Sequence, residues 1–216
     1  MKKIFIFLLV IFIIIAVIYT YQQKSYSLEK VIDLVNSNNV LPENIHIEKI
    51  TYENEAEIAN FNVYVKDNWI YSVQNDSNDN SAESLTNILT HEEILIIHSD
   101  KKIFSHKNDT VKTSLIPSIN SNKNAIYKFY GKEAIDGKKC IKFSLTSEYA
   151  DKIEMDYYYI ELENNHIIKH EFYDGSKIDE LENKYTETYT YNFNTVTDDD
   201  ILEINKDNYP DYQYSE

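Results

Sequence analysis

Along most of this chain, apolar and polar residues alternate with a period of two. Phe61, Val63 and Val65 alternate with Asn62, Tyr64 and Lys66, and Lys66-Asp67-Asn68 turns the chain into Trp69-Ile70-Tyr71-Ser72-Val73. Ile94–Ile97 runs to a turn at Ser99-Asp100-Lys101 and returns through Ile103 and Phe104. Tyr127–Tyr130 faces Ile141–Leu145 across Asp136-Gly137, a two-residue hairpin signal. Tyr157–Leu162 faces Ile167–Phe172 across Asn164-Asn165, residues that tolerate positive φ, and Asp174-Gly175 gives a further turn. The last clear strand is Tyr185–Val196. It carries Tyr185, Tyr189, Tyr191 and Phe193 on one parity and Thr186, Thr188, Thr190, Asn192 and Asn194 on the other. This pattern predicts an antiparallel meander whose strands have one apolar and one polar side, hence a sheet covered on one face only.

Ahead of the strands the period changes. Leu28, Val31, Ile32 and Val35 fall at i, i+3, i+4 and i+7, an apolar helical stripe with Ser27 as N-cap. Asn36 to Asn39 end it and Pro42 blocks extension. A second helix is expected near Ala82–Leu89, with polar loops at Asn75–Ser84 and Asn120–Asn124 too short to divide the chain.

The first residues set an expectation about location. Lys2 and Lys3 precede an uncharged stretch with its apolar heart at Ile4–Tyr19, and a helix from Ile4 to Tyr21 would be about 27 Å long, enough for a bilayer core. A cleaved signal peptide and an uncleaved anchor both fit that stretch. The bulky flank Ala16-Val17-Ile18-Tyr19-Thr20-Tyr21 lacks the small-residue cleavage pattern and favours the anchor. Lys2 and Lys3 are then expected on the cytoplasmic side and Tyr19 and Tyr21 at the interface, as a single-pass anchor over 1–24 with residues 25–216 outside the cytoplasm.

Charge narrows the partners. The 216 residues hold 21 Lys+Arg against 36 Asp+Glu, net −15, and no base is an arginine. Nucleic acid is therefore not an expected partner, because such affinity rests on basic patches, often with bidentate Arg. Without Lys2 and Lys3, 19 bases face 36 acids and the remainder carries −17. A single cysteine, Cys140, leaves no intrachain disulfide or CxxC site, and three glycines leave no glycine-rich phosphate cradle.

Candidate chemistry is sparse, and no catalytic, metal or cofactor-binding residues are expected. Asp76-Ser-Asn78-Asp-Asn80 imitates the start of a calcium loop but has Ser81 where Gly is needed and Asn87 where the bidentate Glu belongs. His166 and His170 are four apart, but on a strand that spacing is about 13 Å. His91, His98 and His106 have no ligand spacing, and a surface role is expected for them. Asp198-Asp199-Asp200 reads as a turn or N-cap. Cys140 shares parity with Lys142 and Ser144, so it is expected on the polar side without a histidine beside it. Trp69 and Tyr71 suit either sheet packing or sugar stacking, the former being the commoner use.

Gly131-Lys132-Glu133, then Ile135-Asp136-Gly137-Lys138-Lys139-Cys140-Ile141, a long hairpin, Tyr191 to Asp200, and Pro210-Asp211-Tyr212 follow one another in an order that resembles the LolA-type half-barrel family. Within it the order is similar to clostridial members, including the spore-germination lipoproteins related to LolA. The resemblance implies an α+β, mainly β fold: a meander curved into a half-barrel, a leading helix and short covering helices. It also implies a non-enzymatic protein with a hydrophobic concavity. Family members hold lipid or acyl chains there, whereas the germination lipoproteins partner a cortex-processing, cell-wall amidase. This chain lacks the lipobox cysteine, so attachment would fall to Ile4–Tyr21. The leading expectation is a membrane-tethered module docking a partner protein in envelope or spore-cortex processing. The alternative is a lipid or lipoprotein binder whose concave face is lined by Tyr185, Tyr189, Tyr191 and Phe193. A cell-wall hydrolase ranks last, and for the tyrosine row the competing reading is ordinary core packing.

Overall fold

The computed structural model describes residues 26–36, 41–78, 80–107, 119 and 124–215. One helix, α1 (Leu28–Asn36), precedes β1 (Asn44–Glu53), β2 (Ala56–Lys66), β3 (Trp69–Asp76), β4 (Ser81–Asn87), β5 (Glu92–Ile97) and β6 (Lys102–Lys107). Then come β7 (Ile126–Ile135), β8 (Lys138–Glu148), β9 (Ile153–Glu161), β10 (Ile167–Gly175), β11 (Glu182–Phe193) and β12 (Gln213–Ser215). All twelve join one open, curved sheet in the order β12-β6-β5-β4-β3-β2-β1-β11-β10-β9-β8-β7.

Two meanders, β1–β6 and β7–β11, therefore meet edge to edge. The expected run of neighbouring hairpins breaks at that seam, where β1 pairs antiparallel with β11 (Ile45 opposite Phe193, Ile47 opposite Tyr191). The seam's end is fixed by Asn44, whose amide donates to the Val196 carbonyl at 2.9 Å and accepts from the Val196 N–H at 3.0 Å. Lys66 on β2 pairs with Asp198 just beyond it. Tyr185–Val196 is not the last strand either, because β12 adds to β6 in parallel.

With few glycines, the turns use Asn and Asp in the left-handed region: Asn54, Asp67, Asp136 and Asn165 all have φ near +50°. Asp136-Gly137 closes the β7–β8 hairpin, with both residues at positive φ, as anticipated. At Gly175 the requirement is space, since an added Cβ would lie 2.6 Å from the Glu180 carbonyl oxygen.

Helix α1 forms as its stripe predicts. The Ser27 hydroxyl accepts from the Lys30 N–H at 3.3 Å, and Val31 and Val35 are buried against the sheet. They meet Ile141, Phe143, Leu145, Tyr158, Ile160 and Ile167 of β8–β10. On the same face, across the seam, Ile45, Ile47, Val63, Val65 and Ile70 form a second cluster. The opposite face has a core of its own: Tyr71, Leu85, Ile96 and Ile103 of β3–β6 are covered by Ile201, Ile204, Tyr209 and Tyr212.

That second cover corrects the expectation of a sheet covered on one side. The region near Ala82–Leu89 is likewise no helix. Its residues pair with both β3 and β5, and Leu85 turns into the opposite-face core, so sheet pairing overrides local helix preference. Besides α1, the described helical elements are 3-10 turns at Ile178–Glu180, Asp198–Asp200 and Lys206–Asn208. No described helix is long and apolar enough to cross a membrane. The anchor expected at Ile4–Tyr21, with Lys2, Lys3, Tyr19 and Tyr21, lies outside the described residues.

Candidate functional site

Strand β11 carries the tyrosine row into the face under α1. Parity alone does this: Tyr185 lies opposite Phe172, Tyr189 opposite Lys49, Tyr191 opposite Ile47 and Phe193 opposite Ile45. The four have different environments. Tyr189 packs on the cluster below α1 and Tyr191 on the cluster across the seam, so adjacent inward residues of one strand join the two. The Tyr191 hydroxyl donates to the Ile167 carbonyl at 2.9 Å, and the Tyr189 hydroxyl to Glu187 at 2.6 Å. Both tips are satisfied internally, leaving the rings as apolar surface. Phe193 keeps 37% of its surface exposed, and Tyr185 stacks on Phe172 at 5.2 Å between centroids.

A polar group lies within this layer. His170 contacts Asp156 through Nε2 at 2.8 Å and Glu187 through Nδ1 at 3.3 Å, while Lys49 reaches Glu187 at 3.2 Å. The imidazole stacks on Tyr158 at 4.7 Å and meets Tyr185 edge-on. Burial pulls the imidazolium down, but the bonds to Asp156 and Glu187 outweigh it and hold its pKa above the ordinary value. Burial likewise pushes Glu187 up, yet His170, Tyr189 and Lys49 hold it at about 2. His166 differs: burial pulls its pKa down, and it stacks on Tyr191 and Phe193 at 4.5 and 5.7 Å. Next to the charged group a cleft of about 230 Å³ opens, lined by Lys49, Thr51, Ala59, Phe61 and Gln74.

Sequence reasoning did not find the His170–Glu187–Lys49 group. The signal was present: Glu187 interrupts the aromatic parity between Tyr185 and Tyr189, and Lys49 follows Ile45 and Ile47 on theirs. A charge on an inward parity must find partners, and here the neighbouring strands supply them.

The other candidates fall elsewhere. Cys140 was expected on the polar side, but it is fully buried among Tyr159 and Ile168, and burial raises its pKa. Such a thiol is a poor nucleophile. His98 is no idle surface residue, since it bonds Glu83 and the Tyr212 hydroxyl, both at 3.0 Å, and ties the C-terminal segment down. His106 approaches Glu93 at 3.3 Å. The Asp76 carboxylate accepts from the Asn78 and Asn80 N–H groups and so closes its own turn. Asp200 forms a capping box with Thr197, as a turn reading requires. Trp69 is partly exposed, whereas Tyr71 is buried with its hydroxyl donating to Glu83 at 2.8 Å. Among the described residues, no three His, Cys, Asp or Glu side chains are grouped to hold a metal ion.

No protein-family model and no curated protein sequence matches this chain. Solved structures do match. The chain is similar to the Mycobacterium tuberculosis lipoprotein LppX at 13% identity and TM-score 0.48, covering 80% of this chain and 99% of that one. It is also similar to an outer membrane lipoprotein-sorting protein domain from Vibrio parahaemolyticus at 10% identity and TM-score 0.34, covering 80% and 96%.

Proposed function

We propose that this chain is a non-enzymatic binding protein that holds the acyl chain of a lipid or lipoprotein on its α1 face, tethered outside the cytoplasm by Ile4–Tyr21. The second of the two binding roles anticipated from sequence thus moves to first place. One observation carries it. The apolar layer under α1 continues across the seam from β8 to β3, bridged by Tyr189 and Tyr191. The six spacings between those seven strands, about 4.8 Å apiece, span about 29 Å, whereas nine helical residues reach about 13.5 Å. Among the described residues α1 packs on the β8–β10 part, and the apolar side chains from outside the strands that pack on the other part are Leu41 and Ile88. The layer is closed over Ile45, Ile47, Val63, Val65 and Ile70, each at most 3% exposed, and opens at Phe193 and at the cleft beside Phe61, where an acyl chain would enter. An apolar interior of that breadth suits a flexible apolar chain better than a compact polar substrate. Lys49, beside the cleft at Phe61, stands where a headgroup would meet the layer.

The test is titration of the full-length, delipidated protein with a fluorescent fatty acid. Saturable binding is expected, weakened about tenfold by Phe193→Asp, which sets a charge on the exposed end of the row. Absence of saturation, or equal binding by that variant, would refute the proposal.

A further inference from the structure

The face opposite α1 carries a second concavity, built from different chemistry. A cleft of about 640 Å³ lies across β7–β10, within the range of small-molecule sites. Its floor is aromatic: Tyr130 and Tyr157 lie 5.5 Å apart between ring centroids, and Tyr157 meets Tyr173 edge-on at 5.5 Å. Tyr130 shares the cleft-facing parity of Ile126 and Lys128, and a β-bulge sits at its position. The register shifts between Phe129 and Gly131, Gly131 takes φ of +116°, and Tyr130 is the extra residue that the shift leaves without a partner on β8. Ile126 and Ile178 form an exposed apolar rim.

Two lysines complete the cleft. The Lys142 ammonium sits over three rings, 4.8 Å from Tyr159, 5.0 Å from Tyr157 and 5.9 Å from Tyr130, and Lys128 sits 4.8 Å over Tyr130. Elsewhere the lysines divide: Lys49, Lys138, Lys152, Lys169 and Lys184 each have a carboxylate within 4 Å, whereas Lys30, Lys101, Lys107, Lys132 and Lys139 have none among the described residues. Among the described residues Lys128 and Lys142 have none. Glu171, which also lines the cleft, is committed to Lys169 at 2.6 Å and to the Tyr159 hydroxyl at 2.8 Å. Glu148 lines the far end of the cleft, four strand positions or about 13 Å from Ser144, the residue opposite Lys128. The end of the floor at Tyr130 and Tyr157 is therefore the cationic one in a chain of net charge −15.

We infer that this cleft binds an anionic saccharide, with sugar ring faces stacked on Tyr130 and Tyr157 and an acidic substituent held by Lys128 and Lys142. Aromatic rings bearing hydroxyl tips offer an apolar body and polar contacts together, which a sugar's C–H face and hydroxyls match. The two ammonium groups favour a negative charge in the ligand, since charge-assisted hydrogen bonds are stronger than neutral ones. This site is independent of the acyl-binding reading, because it lies on the other face and shares no residue with it.

Isothermal titration of the full-length protein with a tetrasaccharide of alternating glucuronic acid and N-acetylglucosamine tests this. Saturable 1:1 binding is expected, weakened about tenfold in each of Lys142→Met, Lys128→Met and Tyr130→Ala, and about tenfold weaker for the neutral N-acetylglucosamine tetramer. Lys128 and Tyr130 are exposed, so their variants remain decisive even if Lys142→Met misfolds. No saturation up to millimolar sugar, equal affinity for the neutral tetramer, or unchanged affinity in the Lys128 and Tyr130 variants would each overturn the inference.

Discussion

The two halves of the sheet are built from the same alternating strands but covered on opposite faces. In β7–β11 the helix that precedes the sheet lies on one side. In β3–β6 the segment that follows the sheet lies on the other, with Ile204 buried and Tyr209 and Tyr212 packed around His98. The β7–β10 half turns the Tyr130–Tyr157 cleft outward on the face that the tail closes in β3–β6. A two-residue period says that a strand has two sides, and the covering segment decides which is inside. The seam, where β1 has apolar residues of both halves on one face, is the transition.

Removing one cover should unfold one half before the other. Deleting residues 201–216 strips Ile201, Ile204, Tyr209 and Tyr212 from the β3–β6 core, and a loss of about 5 kcal/mol is expected. Chemical denaturation followed by Trp69 fluorescence should then show an early transition in that half. A single cooperative transition at the wild-type midpoint would show that the tail is dispensable. The matching change at the other cover, Val31→Asp, places a charge at a fully buried position and should cost about 4 kcal/mol. Hydrogen exchange should rise in β8–β10 while the tail's contacts on β3–β6 stay protected, and uniform loss would erase the distinction between the halves.

A smaller effect, with a pH signature, is expected at the charged group between the clusters. His170→Gln should destabilise by about 2 kcal/mol, below the cost of breaking a fully buried pair because Asp156 and Glu187 retain 25% and 17% side-chain exposure. The folded pKa of His170 is raised, so its contribution is complete below about 6.5, the unfolded value, and is lost as pH rises through the folded value. Glu187, depressed to about 2, contributes above about 4.5 and loses that contribution as the medium is acidified towards 2. Melting curves across pH should show wild-type stability falling on the alkaline side of 6.5 and a flatter profile in the variant. Identical slopes would remove His170 from the account. The smallest expected change is Tyr212→Phe, which removes one hydroxyl contact to His98 and should cost about 1 kcal/mol in the β3–β6 half alone.

Much of this fold was legible because its signals are local. The stripe Leu28–Val35, the Asp136-Gly137 and Asn164-Asn165 turns, and the aromatic parity of β11 all act within a few residues. What was not legible depends on distant partners. The β1–β11 pairing joins residues more than a hundred positions apart, and nothing in either strand names the other. The tail Asn205–Tyr212 has no period, so its role appears only once His98 and Glu83 lie beside it. Cys140 was placed by parity on the polar side, and parity was right, but Tyr159 and Ile168 close over it there. The Tyr130 cleft was not legible because it assembles Tyr130 and Lys128 of β7, Lys142 of β8 and Tyr157 of β9, and only the pairing of those strands brings them together.

The central claim, an acyl chain on the α1 face, is tested most directly by native mass spectrometry of the full-length protein purified from its own host in mild detergent. The account predicts a monomer carrying an added mass that matches a lipid, with the adduct reduced in Phe193→Asp. A bare monomer, or a stoichiometric complex with a second polypeptide and no lipid, would contradict it.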